Sequence, residues 1–234
     1  MSLPKKILPC PIIDALIEIR FSTGIHPSAV FGVIYNTLAK NYPKIDKLPI
    51  LQVPEPIREA DSSFKYKPYF KASNDTFIVQ IGPDVFTISS FPQYAGWDKF
   101  SIEIFSLIKT IKNLNIVTAV HRLGIRYINF FPVNIFENIN LEILCNDTKI
   151  SGAKTHLRTE FLKDDFKSTL QLTNDFIHNS VPGSIIDIDT FKDKNLDSFF
   201  NLYEDLIHQG HLKEKELFFS LLSADFLASL QPEY

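Results

Sequence analysis

Between Ala15 and Phe21 apolar and polar residues alternate. Ala15, Ile17, Ile19 and Phe21 fall on one side, and Leu16, Glu18 and Arg20 on the other. This period-two pattern predicts a strand with one buried face. Gly24 and Pro27 interrupt it. Ser28 is then placed to cap a helix running to about Asn41, with Val30, Phe31, Ile34 and Leu38 at helical spacing. Pro43 stops that helix, and residues 43–63, with four prolines and many charges, read as irregular. Strands are predicted at Phe64–Ala72, Thr76–Ile81 and Val85–Ser90, with Asn74-Asp75 and Gly82-Pro83-Asp84 as the turns of antiparallel hairpins. Trp97, Phe100, Ile104, Leu107, Ile108 and Ile111 trace one face of a helix that reaches about Leu114.

The pattern then begins again. A long strand is predicted at Val117–Phe131, a short helix or turn at Val133–Asn138, and strands at Leu141–Asn146, Thr155–Leu162, Thr169–Thr173 and Ile185–Thr190. A helix follows from Leu196 to about His208, ended by Gly210, and a last helix from Lys213 to Leu230. Ile19-Arg20-Phe21 resembles Ile125-Arg126-Tyr127, and Trp97-Asp98-Lys99-Phe100 resembles Leu196-Asp197-Ser198-Phe199. Each pair is separated by roughly 100 residues, far too long a period for a solenoid. The reading is an α+β chain of two duplicated β-α-β(3–4)-α halves, residues 1–114 and 115–234, forming one compact unit. It carries a mainly antiparallel sheet with helices on one face. In topology this order resembles the saddle of TATA-binding-protein-like folds, a likeness that carries no function.

A second resemblance rests on particular residues. Leu8-Pro-x-Pro-Ile12 running into Ala15-Leu-Ile-Glu-Ile-Arg-Phe21, Tyr94-Ala-Gly-Trp-Asp-Lys-Phe100, Arg122-Leu-Gly-Ile-Arg-Tyr-Ile-Asn129 and Ile186-Asp-Ile-Asp-Thr190 look like the signatures of one family. It is a sporadically distributed prokaryotic family of unknown function, of length comparable to this chain. The resemblance implies a family and supplies no catalytic residues.

Composition narrows the classes. Apolar residues make up 45% and charged residues 22%, which excludes a disordered chain. Twenty-four basic against 27 acidic residues give a net charge of −3, so no global field favours nucleic acid or anionic lipid. Met1-Ser-Leu-Pro-Lys-Lys imitates a signal peptide only loosely, because Pro9, Pro11, Asp14 and Glu18 break the apolar stretch behind it. No apolar run is long enough to span a membrane. Cys10 and Cys145 are too few for a disulfide framework, and a cytoplasmic location with reduced thiols is expected.

The chemistry is sparse. There is no phosphate-binding glycine loop, no Gly-x-Ser-x-Gly elbow and no His-Glu-x-x-His. His208 and His211 lack a third ligand, so neither a metal nor a cofactor is expected. The arginines say more. Strand periodicity places Arg122, Gly124 and Arg126 on one face, and the repeat makes Arg20 the counterpart of Arg126. Carried into later strands, the alternation adds His156, Arg158 and Glu160, then Gln171, then Asp187 and Asp189. Arg20, Arg122, Arg126, Arg158, Asp187 and Asp189 are therefore the candidate ligand-binding residues. The same face reads as well as a solvated surface cross-linked by ion pairs.

Two functions follow. The first is a non-enzymatic binding module that uses the polar sheet face, or a groove between the halves, for a protein partner or an anionic ligand; nucleic acid is disfavoured and a homodimer left open. The second is an enzyme acting on a phosphorylated or otherwise anionic substrate. There Arg20, Arg122 and Arg126 would clamp the anion, with Asp187 or Asp189 as the base. The missing motifs favour the first.

Overall fold

The structure is a computed structural model and describes residues 3–149 and 154–234. Met1 and Ser2, which open the lysine-bearing start, and residues 150–153 lie outside the described residues. The fold is α+β, a large antiparallel sheet with helices packed on one side. Among the described residues nine strands form that sheet, in the order β2-β3-β4-β5-β1-β6-β11-β10-β9. These are β1 (Ile12–Thr23), β2 (Lys44–Lys47), β3 (Phe70–Ser73), β4 (Phe77–Ile81), β5 (Val85–Ser90), β6 (Val117–Phe131), β9 (His156–Lys163), β10 (Phe166–His178) and β11 (Val181–Lys192). The pair β7 (Leu144–Cys145) and β8 (Thr148–Lys149) makes a separate hairpin. The helices are α1 (Pro27–Leu38), α2 (Glu55–Ala60), α3 (Trp97–Asn113), α4 (Phe199–Leu221) and α5 (Ala224–Ser229). Among the described residues, no helix is long and apolar enough to cross a membrane.

The chain divides into two compact units. One holds Met1–Ala15, Ile125–Phe191 and His208–Tyr234; the other holds Leu16–Gly124 and Lys192–Ile207. The boundary expected after residue 114 lies within the second of these, between α3 and β6. In that second unit, Ala15's successors on the apolar side of β1, Ile17, Ile19 and Phe21, are buried, as are Val30, Ile34 and Leu38 of α1 and Phe100, Ile104, Leu107, Ile108 and Ile111 of α3. Phe21 meets Phe86, and Phe77 stacks on Phe100. Tyr42 is buried and its hydroxyl donates to Glu103 Oε1 at 2.5 Å. In the first unit, Phe131, Ile135 and Phe136 pack with Leu170 and Leu172 of β10, Ile186 and Ile188 of β11, and Phe218, Leu221 and Leu222.

Several expected boundaries move. The first helix is capped by His26, whose side chain accepts from the Ser28 amide, and Pro27 opens it. Residues 43–63, expected to be irregular, contain β2, a 3-10 turn at Pro49–Gln52 and α2. The strand expected at Leu141–Asn146 shrinks to Leu144–Cys145. The largest correction concerns the end of the chain. Gly210 does not end a helix: α4 runs through it, and its buried positions Phe199, Ile207, Gly210, Glu214, Phe218 and Leu221 keep helical spacing. The last expected helix is divided instead at Ser223, whose hydroxyl caps α5 by accepting from the Phe226 amide. A glycine stands at 210 because an added Cβ would lie 2.5 Å from Ile125 Cδ1 and 3.1 Å from the Phe166 ring. Its role is close approach of helix to sheet.

Candidate functional site

The polar sides of the strands carry two clusters, one in each unit. In the unit containing Leu16–Gly124, the even positions of β1 bring Glu18 and Arg20 to the polar side, and β6 adds Arg122. Glu18 Oε1 accepts from Arg20 Nε at 2.7 Å and from Arg122 Nη1 at 2.6 Å. The Arg122 and Glu18 side chains are mostly covered, at 12% and 17% exposure, while Arg20 retains 34%. Arg20 also lies 4.8 Å from the centre of the Tyr66 ring, a cation–π distance. Gly124 has a direct part in this arrangement. A Cβ there would stand 2.2 Å from Arg122 Nη1, so the missing side chain lets the guanidinium lie along its own strand and reach Glu18. The clamp of two arginines is thus already filled by a carboxylate of the chain itself.

The second cluster belongs to the unit that includes β9, β10 and β11. Antiparallel register sets Arg158 opposite Gln171, and Gln171 opposite Asp187, one polar row across three strands. Arg126 of β6 meets that row in a bidentate pair, Nε to Asp187 Oδ1 at 2.8 Å and Nη2 to Oδ2 at 2.6 Å. Gln171 Nε2 donates to the same Oδ2 at 3.1 Å. Asp187 is nearly covered, whereas the Arg126 side chain is 36% exposed. The hydrogen bonds that Arg126 donates to Asp187 hold its proton more firmly, and Asp189, opposite Thr169, and Asp14 add two further negative charges that act the same way. Burial raises the carboxyl of Asp14, against the pull of Arg126 and the Ala15 amide; the charge of Asp187 adds to the rise. Arg158 is exposed and contacts Glu160 of its own strand at 3.3 Å.

The predicted residues therefore fall into two sets, Arg20 with Arg122, and Arg126 with Asp187, Asp189 and Arg158. Glu18 and Asp14 were not among them, although both occupy the polar side of β1 by the same alternation that nominated Arg20. What selects them is contact with arginines far away in sequence. The arrangement has chemical consequences. Both oxygens of Asp187 accept donors from the chain, which leaves it badly placed to take a proton from a substrate. Three carboxylates, Asp187, Asp189 and Asp14, act on the one guanidinium of Arg126.

Two other features lie apart from these clusters. A cavity of about 1000 Å³, lined by Phe161, Leu162, Phe166, Leu217, Leu227 and Tyr234 among others, contains none of the six predicted residues. On α4, Glu214 is buried and His211 is half-buried. The Tyr127 hydroxyl lies 3.2 Å from His211 Nδ1. Burial, with the charges of Lys215 and His208, pushes His211 down from 6.5 to about 3; burial pushes Glu214 up from 4.5 to about 8, against the pull of Lys215. Among the described residues no three metal-ligating side chains converge. Comparison with protein-family models and with curated proteins finds no match for this chain.

Proposed function

We propose that this protein is a non-enzymatic binding module that receives a protein partner on the polar row of Arg158, Gln171, Asp187 and Arg126. One observation carries the reading: Arg126 is held rigidly by two hydrogen bonds to Asp187 yet keeps about a third of its surface open, 36%. A charged group fixed before binding loses little side-chain entropy on contact, which is what a recognition surface requires. The excess of carboxylates around it favours a partner that presents amide, lysine or arginine donors. Of the two bases the enzymatic alternative would use, Asp187 and Asp189, the first has both oxygens engaged. Gly124-Ile-Arg-Tyr-Ile-Asn129, which carries the resemblance to the sporadic prokaryotic family, lies on β6 and includes Arg126. The exposed thiols of Cys10 and Cys145 suit a reducing cytoplasm.

The test is affinity capture with tagged wild-type protein and with the double variant Gln171→Arg/Thr173→Arg, which places positive charge on the same face of β10. The expected result is a partner held by the wild type, released by added salt and lost from a variant that melts normally. Identical captures from both proteins, or none from either, would overturn the reading.

A further inference from the structure

Beside the polar row, with which it shares Arg158, we infer that β9 is the site of self-association, pairing antiparallel with β9 of a second copy about a two-fold axis through Thr159. Among the described residues β9 closes one end of the sheet order, and most of it is exposed, Leu162 at 74% and Phe161 at 44%. An uncovered edge strand offers a row of backbone donors and acceptors to another strand.

The register follows from the backbone. Lys163 pairs with Phe166 across the two-residue loop Asp164-Asp165, and flanking residues of such a loop exchange hydrogen bonds. At the other end, the Thr155 carbonyl accepts from the Asn174 amide at 3.3 Å, and the Thr155 amide donates to Asn174 Oδ1 at 2.8 Å. Both ends agree that odd-numbered residues point their amides toward β10. The amides and carbonyls of His156, Arg158, Glu160 and Leu162 therefore point outward. Outward residues must face outward residues of the second copy, so a two-fold axis can fall only on a residue and not between two.

Charge then selects among the three centres nearest the middle of the outward-pointing row of β9, Arg158, Thr159 and Glu160. An axis on Arg158 sets that arginine against its own copy, and an axis on Glu160 does the same with glutamates; like charges directly opposite are destabilising. An axis on Thr159 sets Arg158 opposite Glu160 of the second copy, twice by symmetry. The same register sets Leu157, which packs on the apolar core of its unit, opposite Phe161, so the exposed ring gains an apolar neighbour. Lys163 and Asp164 remain engaged within the chain, with Glu216 and Lys213.

Sedimentation velocity across a concentration series tests this on the whole chain. The expected wild-type behaviour is a monomer–dimer equilibrium. Arg158→Glu and Glu160→Arg should each weaken the dimer by about tenfold or more, because each turns both cross-strand pairs into like charges. The exchanged double variant Arg158→Glu/Glu160→Arg should restore it. Leu162→Pro removes an outward amide while sparing the ladder to β10, and should abolish dimers while the melting temperature holds. A chain that stays monomeric at every concentration would overturn the inference. So would a dimer that tolerates the single charge reversals or the proline, since it would use another surface.

Discussion

Gly124 is the smallest residue in the polar clusters, and its effect is exerted through a neighbour. With an alanine there, the Arg122 guanidinium must shift off the strand, which disturbs its bond to Glu18. The expected cost of Gly124→Ala is about 1–2 kcal/mol, the size of one partly covered charge-assisted hydrogen bond. Chemical denaturation in two backgrounds checks the cause: the penalty should largely vanish once Arg122 is already alanine. Asp187 is the other informative position. Asp187→Asn keeps the shape but removes the carboxylate bonded to Arg126, leaving only the charges of Asp189 and Asp14, and should cost about 2–3 kcal/mol. That is below the range for a fully buried pair because the guanidinium reaches water. An unchanged denaturation midpoint would show that the pair contributes nothing net.

At the scale of elements, α4 illustrates how a residue signal can be read in two ways. Gly210 looks like a stop, since glycine is unfavourable in a helix interior and common just past its end. Here the apolar stripe continues on both sides, and the glycine leaves the room that the Ile125 and Phe166 side chains occupy. Gly210→Ala should gain helix propensity, about 1 kcal/mol, and lose as much or more by overpacking against Ile125 Cδ1. Adding Ile125→Val removes that atom. The double variant should therefore be more stable than the sum of the two single changes, which a thermal-melting cycle measures directly. Additive effects would show that the contact is not what excludes a side chain there.

For the molecule as a whole, the half-buried His211 and the buried Glu214 shape stability against pH. Glu214 keeps its proton in the folded state up to about pH 8 but loses it in the unfolded chain near 4.5. Across that window the folded state binds more protons, so stability falls as pH rises. His211 works in the opposite sense: it is neutral when folded down to about pH 3 and charged when unfolded below 6.5, so stability rises with pH between those values. Together they predict a rise up to about 4.5, a level stretch to 6.5 and a fall toward 8, at most about 1.4 kcal/mol per pH unit on either slope. Glu214→Gln should flatten the alkaline limb. A wild-type melting temperature that climbs steadily from pH 6.5 to 8 would contradict the assignment.

Local periodicity was sufficient for the α+β class, for β6 and α3 almost to the residue, and for the polar sides that carry Arg20, Arg126 and Asp187. These depend on which side of a strand or helix is apolar, and that is written in spacings of two to four residues. Contacts between distant segments were not legible. Nothing in the sequence around Glu18 says that Arg122 will reach it, or that Gln171 and Asp187 will share a row, because strand register is set by the packing of whole hairpins. The same holds for Gly210. Whether a glycine breaks a helix or admits a neighbouring strand depends on how near that strand lies, and only the tertiary structure brings Ile125 within reach.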